Sequence, residues 1–137
     1  MDEAKVVLEL DRLTKQRPRT NFYTRSVYTP AQTKEREQKI GFEFKRQNRE
    51  WVCADGPVSL FLSFEIKIPS KARKEERLKM LNEEILPTIK PDVDNTLKLV
   101  MDALTGIAYK DDTQVTTCTV SKTYGETNKL YIIIRKI

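Results

Sequence analysis

The stretch VSLFLSFEIKI, residues 58–68, restricts the fold more than any other part of the sequence. Large apolar side chains occupy every second position, whereas the positions between them are mostly polar or charged. Side chains at alternate positions lie on the same face of a β-strand. The pattern therefore predicts a strand with one face in the core and the other mostly facing solvent. The predicted core face consists of Val58, Leu60, Leu62, Phe64, Ile66 and Ile68.

The other predicted elements lie on both sides of this strand. Residues 5–10 indicate an opening strand, and residues 31–47 indicate a helix that begins after Pro30 and is weakened in its second half by Gly41. A second helix is predicted over residues 70–86, with Ser70 as its cap and an apolar stripe of Leu78, Leu81 and Ile85. Two strands are predicted within residues 113–137, around a turn at 124–128. The order of elements indicates one α+β domain, residues 1–137, with helices packed on a small mixed sheet.

Residues 14–30, TKQRPRTNFYTRSVYTP, combine basic and aromatic side chains. Two prolines favour a loop or an open hairpin over a helix. Basic groups with aromatics between them are typical of surfaces that contact phosphates and stack on bases. A solvated loop whose aromatic side chains anchor it to the core explains the same pattern. The candidate DNA-binding residues are Lys15, Arg17, Arg19 and Arg25.

Composition restricts the chemistry. The formal charge is +5, which favours anionic partners such as nucleic acid. The sequence has no histidine and only two cysteines, Cys53 and Cys118, which argues against a zinc site or a histidine base. Any metal would be held by oxygens, as Mg²⁺ or Mn²⁺ is. No apolar run is long enough to span a membrane, and the charged N-terminus does not resemble a signal peptide, so a cytoplasmic protein without membrane partners is expected.

Residues 94–104 predict an amphipathic helix. Its apolar face is Leu97, Val100, Met101 and Leu104, and Gly106 follows where a left-handed stop is expected. Asp94, Lys98 and Asp102 are spaced by four and form a second row on the same helix.

Five aspartates lie between residues 92 and 112 of this basic protein. Asp92 and Asp94 stand at the start of the predicted helix, where one helix cap explains only one of them. If residues 106–109, GIAY, return along the helix as a strand, Asp111 or Asp112 comes back to the helix start. Carboxylates that lie so close together repel each other unless a cation is among them. A metal-assisted phosphodiester hydrolase is therefore one interpretation.

Other interpretations of this segment are weaker. The calcium-loop pattern fails because Thr96 and Leu97 stand where it requires a ligand and a glycine. DVDNT has the form found in haloacid-dehalogenase phosphotransferases, but Lys90 and Pro91 precede it instead of a hydrophobic strand. Lys98 either stabilises developing charge during hydrolysis or forms a simple helical ion pair with Asp94 or Asp102.

The segment KPDVDNTLKLVMDALTGIAYKDDTQV, residues 90–115, resembles the signature of the RusA family of Holliday junction resolvases. That signature reads D-x-D-N-x-x-K-x-x-x-D-A-L, followed by a short spacer and D-D-x-Q-V. The early TKQRPR and YTP also resemble the N-terminal part of many members. The matching positions are Asp92, Asp94, Asn95, Lys98, Asp102, Ala103, Leu104, Asp111, Asp112, Gln114 and Val115.

This resemblance implies a homodimeric, magnesium-dependent endonuclease that nicks four-way DNA junctions symmetrically in recombination and repair, with Mn²⁺ as a possible substitute. By position, Asp92, Asp94 and Asp112 correspond to the metal ligands and Lys98 to the catalytic lysine, whereas Asp102 and Asp111 are expected to give support. The alternatives are a DNA-junction-binding module without catalysis and a phosphatase acting on small esters.

Overall fold

The computed structural model describes residues 2–13 and 31–137 in full and the backbone of residues 19–20 and 27–28. The strands are β1 (Glu3–Glu9), β2 (Arg19–Thr20), β3 (Val27–Tyr28), β4 (Val58–Lys67), β5 (Val115–Gly125) and β6 (Lys129–Lys136). The helices are α1 (Ala31–Gln47), α2 (Lys74–Leu81) and α3 (Val93–Leu104), and one 3-10 turn covers Asp112–Gln114.

Four strands form a mixed sheet in the order β1-β6-β4-β5. β6 runs antiparallel to both β1 and β4, whereas β5 runs parallel to β4. The predicted α+β fold with a small mixed sheet is confirmed. β5 and β6 follow each other in sequence but do not pair, because β4 lies between them.

The core lies between one face of the sheet and the helices α1 and α3. The predicted alternation of β4 is confirmed, since Leu62 and Phe64 are completely buried while Phe61 on the opposite face is 40% exposed. Burial of apolar side chains such as these is the dominant favourable contribution to folding. The buried partners from the two helices are Ile40 and Phe44 of α1 and Leu99, Val100, Ala103 and Leu104 of α3.

The C-terminal end of α1 closes the outer edge of β1. The Asn48 side chain accepts a hydrogen bond from the Lys5 backbone N–H at 3.2 Å and donates to the Lys5 carbonyl at 2.9 Å. The Gln47 side chain makes the same pair of bonds with Val7, at 3.1 and 2.9 Å. These two amides satisfy the backbone groups that an edge strand leaves unpaired.

Two helix predictions need correction. α2 begins after Arg73, not Ser70, because residues 69–72 form a separate turn in which the Ala72 N–H donates to the Pro69 carbonyl. It ends at Leu81, and Glu83 just beyond it has a left-handed φ of 62°. Its buried residue is Met80, and the side chains at 78 and 81 are exposed. In α3, Leu97 and Met101 are only partly buried.

Residues 106–109 do not return along the helix as a strand, which was the condition for bringing Asp111 or Asp112 back to the helix start. Gly106 has a φ of 82°, and its N–H donates to the Tyr109 carbonyl at 2.7 Å. This compact turn is closed by the Ala108 N–H, which donates to the Leu104 carbonyl at 2.9 Å. Only isolated bridges join Tyr109 to Ala54 and Thr105. The left-handed glycine ends α3 as predicted, but the chain turns instead of running back along the helix.

The sequence predicted a loop or an open hairpin near the N-terminus, and the described backbone agrees with the hairpin. β2 pairs antiparallel with β3, with Arg19 opposite Tyr28. Across the residues that the structure describes, no helix has the length and apolar character needed to cross a membrane.

Candidate active site

Asp92 and Asp94 stand where α3 begins. Asp92 is the N-cap residue, and its carbonyl accepts the Thr96 N–H at 3.2 Å, but its carboxylate makes no capping hydrogen bond. Asp94 lies in the first turn, and both residues are exposed. Within residues 31–137, neither carboxylate has an ion-pair or hydrogen-bond partner, so capping does not account for them.

Asp111 and Asp112 lie at the 3-10 turn that leads into β5. Asp111 caps this turn, and its carboxylate accepts a hydrogen bond from the Thr113 hydroxyl at 2.9 Å. Asp112 is the first residue of the turn, and its side chain is 29% exposed. The two neighbouring aspartates therefore differ in their surroundings: one holds the local backbone, and the other points toward α3.

A single side chain, Gln114, fixes this turn to the loop before β4. Its amide nitrogen donates to the carbonyls of Ala54 and Gly56, each at 2.8 Å. Its amide oxygen accepts from the backbone N–H groups of Lys110 and Asp111, each at 2.9 Å. All four hydrogen-bonding positions of the side chain are thus used on backbone groups. The sequence motif includes Gln114 but gives no indication of this role.

Lys98 connects α3 to this turn. Its ammonium lies 3.3 Å from Asp102 Oδ1 and 3.7 Å from Asp112 Oδ2. The hydrogen bond and Coulombic attraction from Asp102 raise the pKa of Lys98, and Asp112 adds a smaller effect in the same direction. Lys98 is therefore protonated at neutral pH, and its side chain is still 57% exposed. The predicted helical ion pair forms with Asp102; among the described contacts, none joins Lys98 to Asp94.

Lys98 supplies part of the positive charge that the aspartates need. The ammonium of Lys98 lies between Asp102 and Asp112 and relieves the repulsion between these two carboxylates. No group of three or more histidine, cysteine, aspartate or glutamate side chains converges as a metal site in the described ranges. The chemistry of the exposed donors nevertheless fits a hard divalent cation, because Asp92 and Asp94 offer carboxylate oxygens that no other described residue uses.

Comparison with known proteins agrees with the motif. The family model for endodeoxyribonuclease RusA matches residues 10–135. The chain belongs to the RusA family. It is also similar to an uncharacterized protein, YqaN, of Bacillus subtilis (strain 168), with 35% identity across 100% of this chain and 99% of the relative.

In this RusA-family chain, a half-buried lysine that the motif does not include also contacts the segment before Asp92. Lys122 of β5 donates through its ammonium to the carbonyl of Ile89 at 2.9 Å and to that of Pro91 at 3.2 Å. Pro91 directly precedes Asp92. The one available signal was position, since Lys122 shares the strand face of Val120 and Tyr124, where an apolar side chain is expected.

A groove of about 420 Å³ opens between α1 and α3 beside the RusA motif. Asp102 and Ala103 line it from α3, and Lys34, Phe42 and Lys45 line it from α1. Phe42 is 64% exposed. Glu37 also lines the groove, so two carboxylates accompany the two lysines and the lining has no excess of positive charge that would favour phosphate.

The predicted DNA-binding residues are not tested by this structure. Lys15, Arg17 and Arg25 lie outside the described residues. Arg19 belongs to β2, for which only the backbone is described.

Proposed function

We propose that this RusA-family protein is a magnesium-dependent endonuclease that resolves four-way (Holliday) DNA junctions by paired symmetric nicks. The observation that carries the proposal is the position of Lys98, an exposed ammonium between Asp102 and Asp112. Lys98 lies on the helix that begins at Asp92 and Asp94, whose carboxylates have no partner among the described residues. Activity is expected in the cytoplasm, in recombination and repair.

The proposed metal ligands are Asp92, Asp94 and Asp112, with Mg²⁺ as the physiological cation and Mn²⁺ as a substitute. When bound, such a cation lowers the pKa of a water molecule and stabilises negative charge on the phosphate. Asp92 and Asp94 are suited to this role because their carboxylates have no structural partner in the described residues. Asp112 is suited because Gln114 fixes the backbone of the two residues that precede it, Lys110 and Asp111.

Lys98 is proposed to stabilise charge at the scissile phosphate. Its raised pKa makes it a poor base, since it holds its proton at neutral pH. A protonated ammonium with more than half of its surface exposed is suited to binding a phosphate oxygen or to stabilising the leaving oxygen. Asp102 and Asp112 hold the ammonium, so they support its position as well as its charge.

Two opposed strands must be cut to resolve a junction. One site makes one nick, so we propose that two copies of the chain form a homodimer that presents two symmetric sites. The basic N-terminal residues Lys15, Arg17, Arg19 and Arg25 are proposed to contact the DNA phosphates, consistent with the net charge of +5.

The test uses a labelled synthetic four-way junction beside a linear duplex of the same sequence, each with Mg²⁺ and with chelator. Junction cleavage that needs Mg²⁺ and disappears in Asp92→Asn, while junction binding remains, is the expected result. Glu126→Gln is the control, because it removes an exposed carboxylate whose nearest basic partner is 4.0 Å away on α2. Cleavage by Asp92→Asn at the normal rate would exclude the assignment.

A non-catalytic junction-binding module is the second candidate. Two observations favour it: the described carboxylates do not converge in threes, and Lys98 already neutralises part of their charge. It predicts junction binding without cleavage in any divalent metal, and no change in thermal stability when Mg²⁺ is added.

A further inference from the structure

Lys122 occupies a position in the sheet where a charge is unexpected. On β5 it lies opposite Phe64 of β4, which is completely buried. Its neighbours on the same strand face are Val120 and Tyr124, and Tyr124 is only 9% exposed. Desolvating an ammonium is costly unless hydrogen bonds compensate for the lost water. A half-buried lysine on the helix-facing side therefore calls for specific partners.

The partners of Lys122 are backbone carbonyls. Its ammonium donates to Ile89 O and Pro91 O, and no carboxylate in the described residues forms an ion pair with it. The two bonds hold the segment before α3 against β5. Pro91, which is buried, is joined directly to Asp92, so the anchored carbonyl belongs to the peptide group that links these two residues.

Asp92 receives its position from its backbone on both sides. Its own carbonyl accepts the Thr96 N–H, and the Thr96 hydroxyl donates to the Leu13 carbonyl at 2.7 Å. On the other side, Lys122 holds the Pro91 carbonyl. Among the described residues, none forms a hydrogen bond with the Asp92 carboxylate itself, which also makes no capping bond. Within this part of the chain, Lys122 is thus one of two anchors that determine where this carboxylate lies.

We propose that Lys122 is a positioning residue that fixes Asp92 for metal binding. This inference rests on the proposed function, because it assumes that Asp92 is a metal ligand. Groups that hold metal ligands in place commonly change metal affinity by about 10- to 100-fold when they are removed. Lys122 acts in this way through the backbone, not through contact with the metal or the DNA.

The direction in which metal affinity changes when Lys122 is replaced separates a positioning role from a purely electrostatic one. An ammonium near a cation site repels the cation, so its removal alone would tighten metal binding. Loss of an anchor has the opposite effect, because a mobile carboxylate must be ordered when the metal binds. Weaker metal binding after removal of the charge therefore indicates positioning.

The experiment measures Mn²⁺ binding by calorimetry to the full chain without DNA, comparing the unsubstituted protein with Lys122→Met and Lys122→Arg. We expect Lys122→Met to raise the Kd for Mn²⁺ about tenfold. Lys122→Arg, which keeps the charge and the donors, is expected to recover most of the affinity. Lys67→Met is the matched control: it makes the same change of charge at an exposed position at the end of β4 and should leave the Kd unchanged.

A second readout does not need the metal. Hydrogen exchange of the Thr96 amide, which is bonded to the Asp92 carbonyl, should be faster in Lys122→Met than in Lys67→Met. If Lys122→Met does not fold, Lys122→Gln takes its place, since its shorter amide keeps a donor but cannot replace an ammonium that reaches two carbonyls.

An unchanged or lower Kd in a folded Lys122→Met or Lys122→Gln protein would overturn the inference and leave the proposed function intact. Absence of Mn²⁺ binding by the unsubstituted chain would overturn both together.

Discussion

The Lys98 ammonium lies 3.7 Å from Asp112 Oδ2 and so joins the middle of α3 to the turn that begins β5. These residues belong to the two halves of the sequence motif, which are separated by the compact turn at residues 106–109. The contact brings the two halves together in the folded protein. Each supplies one partner of a charged pair that neither element can form alone.

Removing the Lys98 ammonium should impair cleavage more than binding. We expect Lys98→Met to reduce the cleavage rate by at least about 100-fold, because one group that stabilises the transition state is lost. Junction affinity should change little, since a single exposed cation contributes a small part of binding. Single-turnover cleavage and gel-shift assays measure the two effects. Lys5→Met, an exposed lysine of β1 paired with Glu3, is the control and should cleave normally.

Truncation of Gln114 should loosen the turn that carries Asp112. Gln114→Ala leaves four backbone groups without their partner, and we expect it to lower the free energy of unfolding by about 2–3 kcal/mol. Thr113→Ala removes a single exposed hydrogen bond to Asp111 and should cost less than about 1 kcal/mol. Urea unfolding of both variants gives the comparison. Equal losses would show that the Gln114 bonds do not hold the turn.

Tyr109 should make the fold sensitive to alkaline pH. Burial raises the pKa of its phenol, and its hydroxyl donates to the Met101 carbonyl at 2.8 Å. The folded protein therefore keeps the phenol neutral, whereas the unfolded chain ionises near the ordinary value of 10.0. Stability from this group is fully present below pH 10 and falls as pH rises above it. Tyr109→Phe should be about 1 kcal/mol less stable than the unsubstituted protein at pH 7. Between pH 9 and 11 the variant should lose less stability than the unsubstituted protein does. Thermal unfolding of both proteins across this pH range provides the measurement. Parallel pH curves for the two proteins would contradict the prediction.

The N-terminal basic residues should determine the salt dependence of DNA binding. Replacing Lys15, Arg17 and Arg19 with alanine removes three possible phosphate contacts, and the slope of log K against log salt should become shallower by about 2.7. Fluorescence anisotropy with a cleavage-inactive Asp92→Asn background provides the measurement. An unchanged slope would remove these residues from the interface. The Lys5→Met variant serves again as a control.

Local sequence patterns correctly predicted the elements in which buried side chains recur at a regular spacing. The alternation in residues 58–68 gave β4, and Pro30 followed by strong helix formers gave α1 with its observed ends. α2 was predicted too long because charged residues on both sides favour a helix, whereas its end depends on the left-handed Glu83. Such a conformation at a non-glycine residue has no reliable sequence signal.

The strand order and part of the site depend on contacts between distant residues. Nothing in residues 115–136 indicates that β4 separates β5 from β6, since this depends on the partners each strand finds. The motif selected Lys98 and Asp112, but their contact depends on the compact turn at residues 106–109 that follows α3. The proposed positioning role of Lys122 depends on its hydrogen bonds to the carbonyls of Ile89 and Pro91, about thirty residues earlier in the sequence. No local sequence pattern reveals these contacts.

The central position of β6 has a consequence for synthesis. β1 and β4 leave the ribosome well before β6, which pairs with both of them. Until β6 emerges, β1 has no neighbouring strand in the sheet, and the apolar faces of both strands lack part of their cover. α3 and the turn with Asp112 are also made before β6. A nascent chain therefore holds every proposed catalytic residue before it can complete the sheet beneath them, and a stable nuclease is expected only after β6 has been inserted.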